Sequence, residues 1–90
     1  MTESASVPGS HIELTLMTLV QQRGLHASAC PSEVARALAP EDWRALMPQV
    51  RDAASRLAQQ GKIEIAQGGK AVSGIGPWKG PIRLRLPRGD

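Results

Sequence analysis

The hydrophobic period of this chain changes once, at Gly61, and the change limits what it can fold into. Before Gly61, apolar residues recur at helical spacing: Ile12, Leu16, Leu19 and Val20 in one segment, Val34, Ala35 and Leu38 in a second, Val50, Ala53, Ala54 and Leu57 in a third. After it, apolar residues alternate. "KIEIAQ" sets Ile63 and Ile65 on one face, and "PIRLRLP" sets Ile82, Leu84 and Leu86 inward with Arg83 and Arg85 outward. A helical half followed by a strand-forming half is an α+β pattern.

The boundaries of the segments carry stop and start signals. Residues 1–9 are small, polar and punctuated by Pro8-Gly9, and are expected to be a disordered tail. The domain is expected to run over residues 10–87, with 88–90 a short C-terminal tail. Ser10 and Glu13 fit a capping box, which predicts a first helix over about residues 11–23, ended by Gly24. In "CPSEVARAL", Pro31 suits the first helical position, so Cys30 is the N-cap and Glu33 the third residue. "PEDWRALM" reads as a short helix that starts at Pro40, with Glu41 and Asp42 at its positive end. Pro48 predicts a kink or a restart, after which "PQVRDAASRLAQQG" continues as a helix to Gly61. Gly68-Gly69 marks a turn, and "KAVSGIGPWKG" is a glycine-rich loop with a short strand near 71–73.

Ninety residues make one domain with one modest core. With no Phe or Tyr, that core must be aliphatic, helped by Trp43 and Trp78. Lys plus Arg is 11, Asp plus Glu is 8, and the net charge of +3 is compatible with an anionic partner. The single cysteine allows no internal disulfide. No apolar run approaches the ~18 residues that span a membrane. The first ten residues have neither the basic start nor the apolar segment of a signal peptide. A cytoplasmic protein is expected. No catalytic motif, phosphate loop or cofactor signature is present, so the expectation is a binding protein, not an enzyme, with no cofactor.

Three helices followed by a β-hairpin are the layout of a winged helix-turn-helix domain. The stretches "CPSEVARAL", "WRALMPQVRDAASRLAQQGKIEIAQGG" and "GPIRLRL" together resemble a small bacterial family of winged-helix-like domains of unknown function. The resemblance covers about residues 12–86; it implies the fold and leaves the activity open. More broadly, "PSEVARAL" and "VRDAASRLAQQGKIEI" are similar to the middle of winged-helix transcription regulators. That similarity implies that the first of these helices braces the fold and the second enters the major groove. A compact helix-turn-helix has ~3–4 residues between its helices. Here "APEDWRALM" is expected to intervene and displace the reading helix.

Two function classes follow. In the first, the chain is DNA-associated or transcription-regulatory, with duplex DNA as partner. With Val50 and Leu57 inward, a rotation of 100° per residue sets Asp52, Ser55, Arg56 and Gln59 outward and Arg51 on the flank. Ser, Arg and Gln can bond base edges, whereas Asp52 repels phosphate and is four residues from Arg56, close enough to pair with it. The last third holds Lys62, Lys70, Lys79, Arg83 and Arg85, opposed only by Glu64 before Asp90. Such cations on a wing gain affinity by releasing counterions. The nucleic-acid candidates are therefore Arg51, Ser55, Arg56, Gln59, Lys70, Lys79, Arg83 and Arg85. In the second class, the fold is a protein-interaction adaptor that binds no nucleic acid.

Other residues weigh less. Trp78 in the loop either covers the core or stacks on a partner, and Trp43 is expected in the core. Cys30 is a candidate redox-sensitive residue, because a helix N-terminus favours the thiolate. His26, Cys30 and Glu33 have ligand chemistry but not the spacing of a zinc site, so no metal is expected. Dimeric regulators usually add a dimerising helix; none follows the wing, so a monomer is expected.

Overall fold

A computed structural model describes residues 7–87. Of the tail expected at 1–9, residues 1–6 lie outside the described residues, as does the tail expected at 88–90. Three helices come first: α1 (Gly9–Arg23), α2 (Pro31–Leu38) and α3 (Trp43–Gln59). Three strands follow: β1 (Glu64–Gln67), β2 (Lys70–Val72) and β3 (Arg83–Arg85). They form one antiparallel sheet in the order β2-β1-β3. This is the α+β, winged-helix-like arrangement that the change of period implies.

The helices bury the residues their spacing selects. Ile12, Leu16 and Val20 of α1 meet Val34 and Ala35 of α2, and Leu46, Val50, Ala53, Ala54 and Leu57 of α3. Ile63, Ile65, Ile82 and Leu84 close this core from the sheet side. Ala29 precedes α2 and forms a bridge with Leu84, each N–H donating to the other's carbonyl at 2.8 Å. The connector before α2 thus extends the sheet beyond β3.

The helix starts differ from the sequence expectations in two of three cases. α1 begins at Gly9, after Pro8, and takes in the position expected to close the tail. The Ser10–Glu13 capping box does not form. The His11 and Ile12 N–H groups donate to the Pro8 carbonyl, and Glu13 is held by Arg56 of α3. α2 begins as expected: Cys30 and Glu33 form a capping box with Pro31 at the first position, and the Cys30 N–H donates to Glu33 Oε2 at 3.3 Å. α3 does not start at Pro40. Residues 40–42 form a turn, and one helix runs unbroken from Trp43 through Pro48.

Pro48 is tolerated because it sits in the second turn, on the exposed face. It deprives the Arg44 carbonyl of its helical donor, but that carbonyl belongs to an exposed residue and can turn to water. The consequence reaches further. "WRALM" is the start of α3 and not an insertion, so only the four residues 39–42 separate α2 from α3. The pair has the compact helix-turn-helix spacing. The expected displacement of α3 does not occur.

α3 ends in a Schellman arrangement, with the Lys62 N–H on the Leu57 carbonyl and the Gly61 N–H on that of Ala58. β1 and β2 then form a hairpin whose register pairs Gln67 with Lys70. Its two-residue turn holds Gly68 at φ 57° and Gly69 at φ 84°, the doubly positive conformation of a type I′ turn. The remaining segment, 73–82, crosses back over α3 before β3 begins.

Candidate nucleic-acid interface

The outer face of α3 is where the sequence put its base-reading residues, and the 73–80 loop lies over part of it. Arg51 donates from Nη1 to the Trp78 carbonyl at 3.3 Å and from Nη2 to that of Gly80 at 2.9 Å. The Ser55 hydroxyl donates to the Gly74 carbonyl at 2.6 Å and accepts from Gln59 Nε2 at 2.9 Å. A Cβ built on Gly74 would stand 2.8 Å from that of Ala58, so loop and helix approach to backbone distance there. The indole N–H of Trp78 donates to the Ser73 carbonyl at 2.8 Å, and its half-buried ring packs against the core. Arg51 and Ser55 thus hold the loop on the helix, and Gln59 donates to Ser55.

Arg56 pairs with Glu13 of α1 at 2.9 Å and not with Asp52, because α1 crosses beside that turn of α3. Asp52 is exposed and takes part in no ion pair among the described residues.

The two strand arginines do not project together into solvent. Arg83 is exposed but donates to the Ser28 hydroxyl at 2.8 Å and to the Ser28 carbonyl at 3.1 Å. Arg85 is buried, against the outward placement expected from alternation, and its Nε lies 2.9 Å from Glu64 Oε1. Glu64 and Arg85 are direct partners in the β1–β3 register, which brings the opposite charges together. Alternation set the face correctly; the cross-strand carboxylate then covered the guanidinium.

Lys70 and Lys79 are the exposed remainder of the candidate set. The Gln67 side chain brings them near each other. Its amide donates to the Lys79 carbonyl at 2.8 Å, and its backbone pairs with Lys70.

Two arginines outside the candidate set complete a cationic border. Trp43 opens α3, half-buried against the core, with the Arg36 guanidinium 4.3 Å and the Arg44 guanidinium 4.5 Å from its ring centroid. Both are exposed, and neither joins an ion pair among the described residues. Stacking fixes each guanidinium plane while its N–H edge stays available. Arg44 shares a face of α3 with Arg51, seven residues on, and Arg51 holds the backbone on both sides of Lys79. Arg36, Arg44, Lys79 and Lys70 therefore border one side of α3. Sequence reading finds Trp43 as a core residue. It misses Arg36 because only the four-residue turn brings the end of α2 onto the start of α3.

Glu33 is engaged by Arg23 as well as by the Cys30 N–H, and Cys30 Sγ accepts from the Ser32 hydroxyl at 3.2 Å. Between α3 and the 73–80 loop lies an open groove of about 440 Å³, walled by Pro48, Ile75, Pro77 and Trp78 with Asp52 at its edge.

Three helices with a compact turn between the second and third, followed by an antiparallel sheet whose loop crosses the third helix, make this a winged-helix-like α+β domain. The chain belongs to the family described as "Protein of unknown function (DUF3253)", whose model matches residues 9–87. A comparison with curated proteins finds no match. No helix among the described residues is long and apolar enough to cross a membrane.

Proposed function

We propose that this protein is a cytoplasmic, non-enzymatic binder of duplex DNA that grips the sugar–phosphate backbone and does not read base edges through α3. The observation that carries this reading is the distribution of unpaired cations. Arg36 and Arg44 are poised on Trp43 at the helix-turn-helix turn, and Lys70 and Lys79 lie at the hairpin and loop, all without carboxylate partners among the described residues. Of the residues with base-reading chemistry, Arg51 and Ser55 are tied to the loop and Gln59 is tied to Ser55. Backbone contacts give affinity with little sequence preference.

Fluorescence anisotropy of a labelled mixed-sequence duplex, titrated at several salt concentrations, tests it. Binding should weaken steeply with salt, with each phosphate contact adding about 0.9 to the log–log slope. Arg36→Ala with Arg44→Ala should lower that slope by about 2. Arg83→Ala, whose side chain is held by Ser28, should leave it within error. No binding at low salt rules the proposal out.

A further inference from the structure

Two like charges share one aromatic ring at the start of α3. Arg36 lies in the last turn of α2, and Trp43 and Arg44 open α3 after the four-residue turn. The Arg36 and Arg44 guanidinium carbons stand 4.3 Å and 4.5 Å from the Trp43 ring centroid, so they cannot be farther apart than those two distances placed end to end. Guanidiniums this close repel each other. Glu41 and Asp42 directly precede Trp43 and are exposed, yet neither forms an ion pair with Arg36 or Arg44. The indole is the partner that each guanidinium has taken. A stacked guanidinium keeps its N–H edge for an anion, and its long side chain is already ordered when the anion arrives. An anion that meets both edges also relieves the repulsion. The spacing suits two anionic groups held close together. In a nucleic acid, the phosphates nearest to one another are consecutive ones of a single strand.

We propose that Arg36, Trp43 and Arg44 form one site for two adjacent phosphoryl groups, with Trp43 as the positioning residue that holds both guanidiniums. On duplex DNA these groups are consecutive phosphates of one strand. That identification rests on the proposed DNA binding, whereas the site itself does not.

The ¹⁵N-labelled full chain is titrated with sodium tripolyphosphate and, separately, with orthophosphate at matched ionic strength. Tripolyphosphate should shift the Arg36 and Arg44 Nε–H and the Trp43 indole resonances, and should bind more tightly than orthophosphate. Arg36→Lys with Arg44→Lys keeps both charges and gives up the planar, stacked groups. This double variant should weaken tripolyphosphate and a mixed-sequence duplex alike by about ten-fold, the cost of ordering two long side chains on binding. The salt slope of duplex binding should not change, because the charge is the same. Both positions are exposed, so the core is untouched. Trp43→Phe keeps a ring and should retain most of the affinity. Trp43→Leu keeps an apolar contact with the core but no ring, and should bind as weakly as the double variant. Glu41→Gln with Asp42→Asn removes opposing charge and should tighten tripolyphosphate. Tripolyphosphate binding at these residues without any duplex binding would leave the site standing and sink the DNA reading. Binding of tripolyphosphate by the double variant as tightly as by the unaltered chain overturns the proposal. So do shifts that miss Arg36 and Arg44.

Discussion

Arg83 and Arg85 stand two residues apart on one strand and have different physical roles. Arg85 is enclosed beside Glu64, with side-chain exposures of 11% and 25%. Removing the guanidinium leaves a half-buried carboxylate without its partner. Exposed pairs contribute about 0–1 kcal/mol, and breaking a buried one costs about 3–5 kcal/mol. Arg85→Ala should therefore destabilise by about 2 kcal/mol in urea unfolding. Arg83→Ala loses hydrogen bonds that water can replace and should cost under about 1 kcal/mol. Gly74 is a second position where one atom matters. An added methyl meets Ala58 at 2.8 Å, and neither backbone can withdraw freely. Gly74→Ala should cost about 1–3 kcal/mol, as overpacking does, and lower Tm by at least about 4 °C. That Arg83 and Arg85 share a face is legible from period 2 alone. That Glu64 lies opposite Arg85 needs the strand pairing.

At the scale of the element, α3 combines two conflicting local rules. Its apolar residues at 46, 50, 53, 54 and 57 form one buried stripe, which requires a continuous helix. Pro48 argues for an interruption. The stripe prevails, since a helix restarted at Pro48 would lose the alignment of Leu46 with Val50 and Leu57. Burial of each such side chain contributes about 1.5–3 kcal/mol, comparable with the ~3 kcal/mol penalty of an interior proline. Pro48→Ala should raise stability by about 1–2 kcal/mol, since the regained helix propensity is partly offset by a more flexible unfolded chain. The midpoint of urea unfolding should rise with no change in its slope. The failed expectation of an insertion traces to this same proline. Reading it as a boundary moved the start of the second helix of the pair from Trp43 to Pro48 and hid the compact turn.

At the scale of the molecule, the sheet is closed from two distant parts of the chain. β1 lies between its hairpin partner β2 and the late strand β3, and Ala29 bonds the far side of β3. Ala29 and Leu84 are both fully buried and exchange paired hydrogen bonds. Their amides should exchange with deuterium only through global unfolding. Those of Ile75 and Lys79, in the loop, should exchange orders of magnitude faster through local opening, as hydrogen exchange followed by NMR would show. Equal protection of the two sets would mean that the loop and the core open as one unit. The loop's bonds to α3 come from Arg51 and Ser55, so this comparison also reports how firmly the helix face is covered.

By itself the sequence determined the order of elements, the buried stripe of each helix, the cap of α2 and the two-glycine turn. These depend on residues near one another in the chain, where spacing and backbone preference act directly. Only the tertiary structure decided which charged and polar side chains are free. Arg51, Ser55 and Gln59 could be placed on the outer face of α3 by counting, but the loop carbonyls that engage Arg51 lie 27 and 29 residues later in the chain, and the one that engages Ser55 lies 19 later. Arg56 finds Glu13 from 43 residues away, and Arg85 finds Glu64 from 21. Arg36 and Arg44 emerge as the poised pair only once the turn stacks both on Trp43. A long side chain takes whichever partner folding brings within reach, and sequence spacing does not encode that choice.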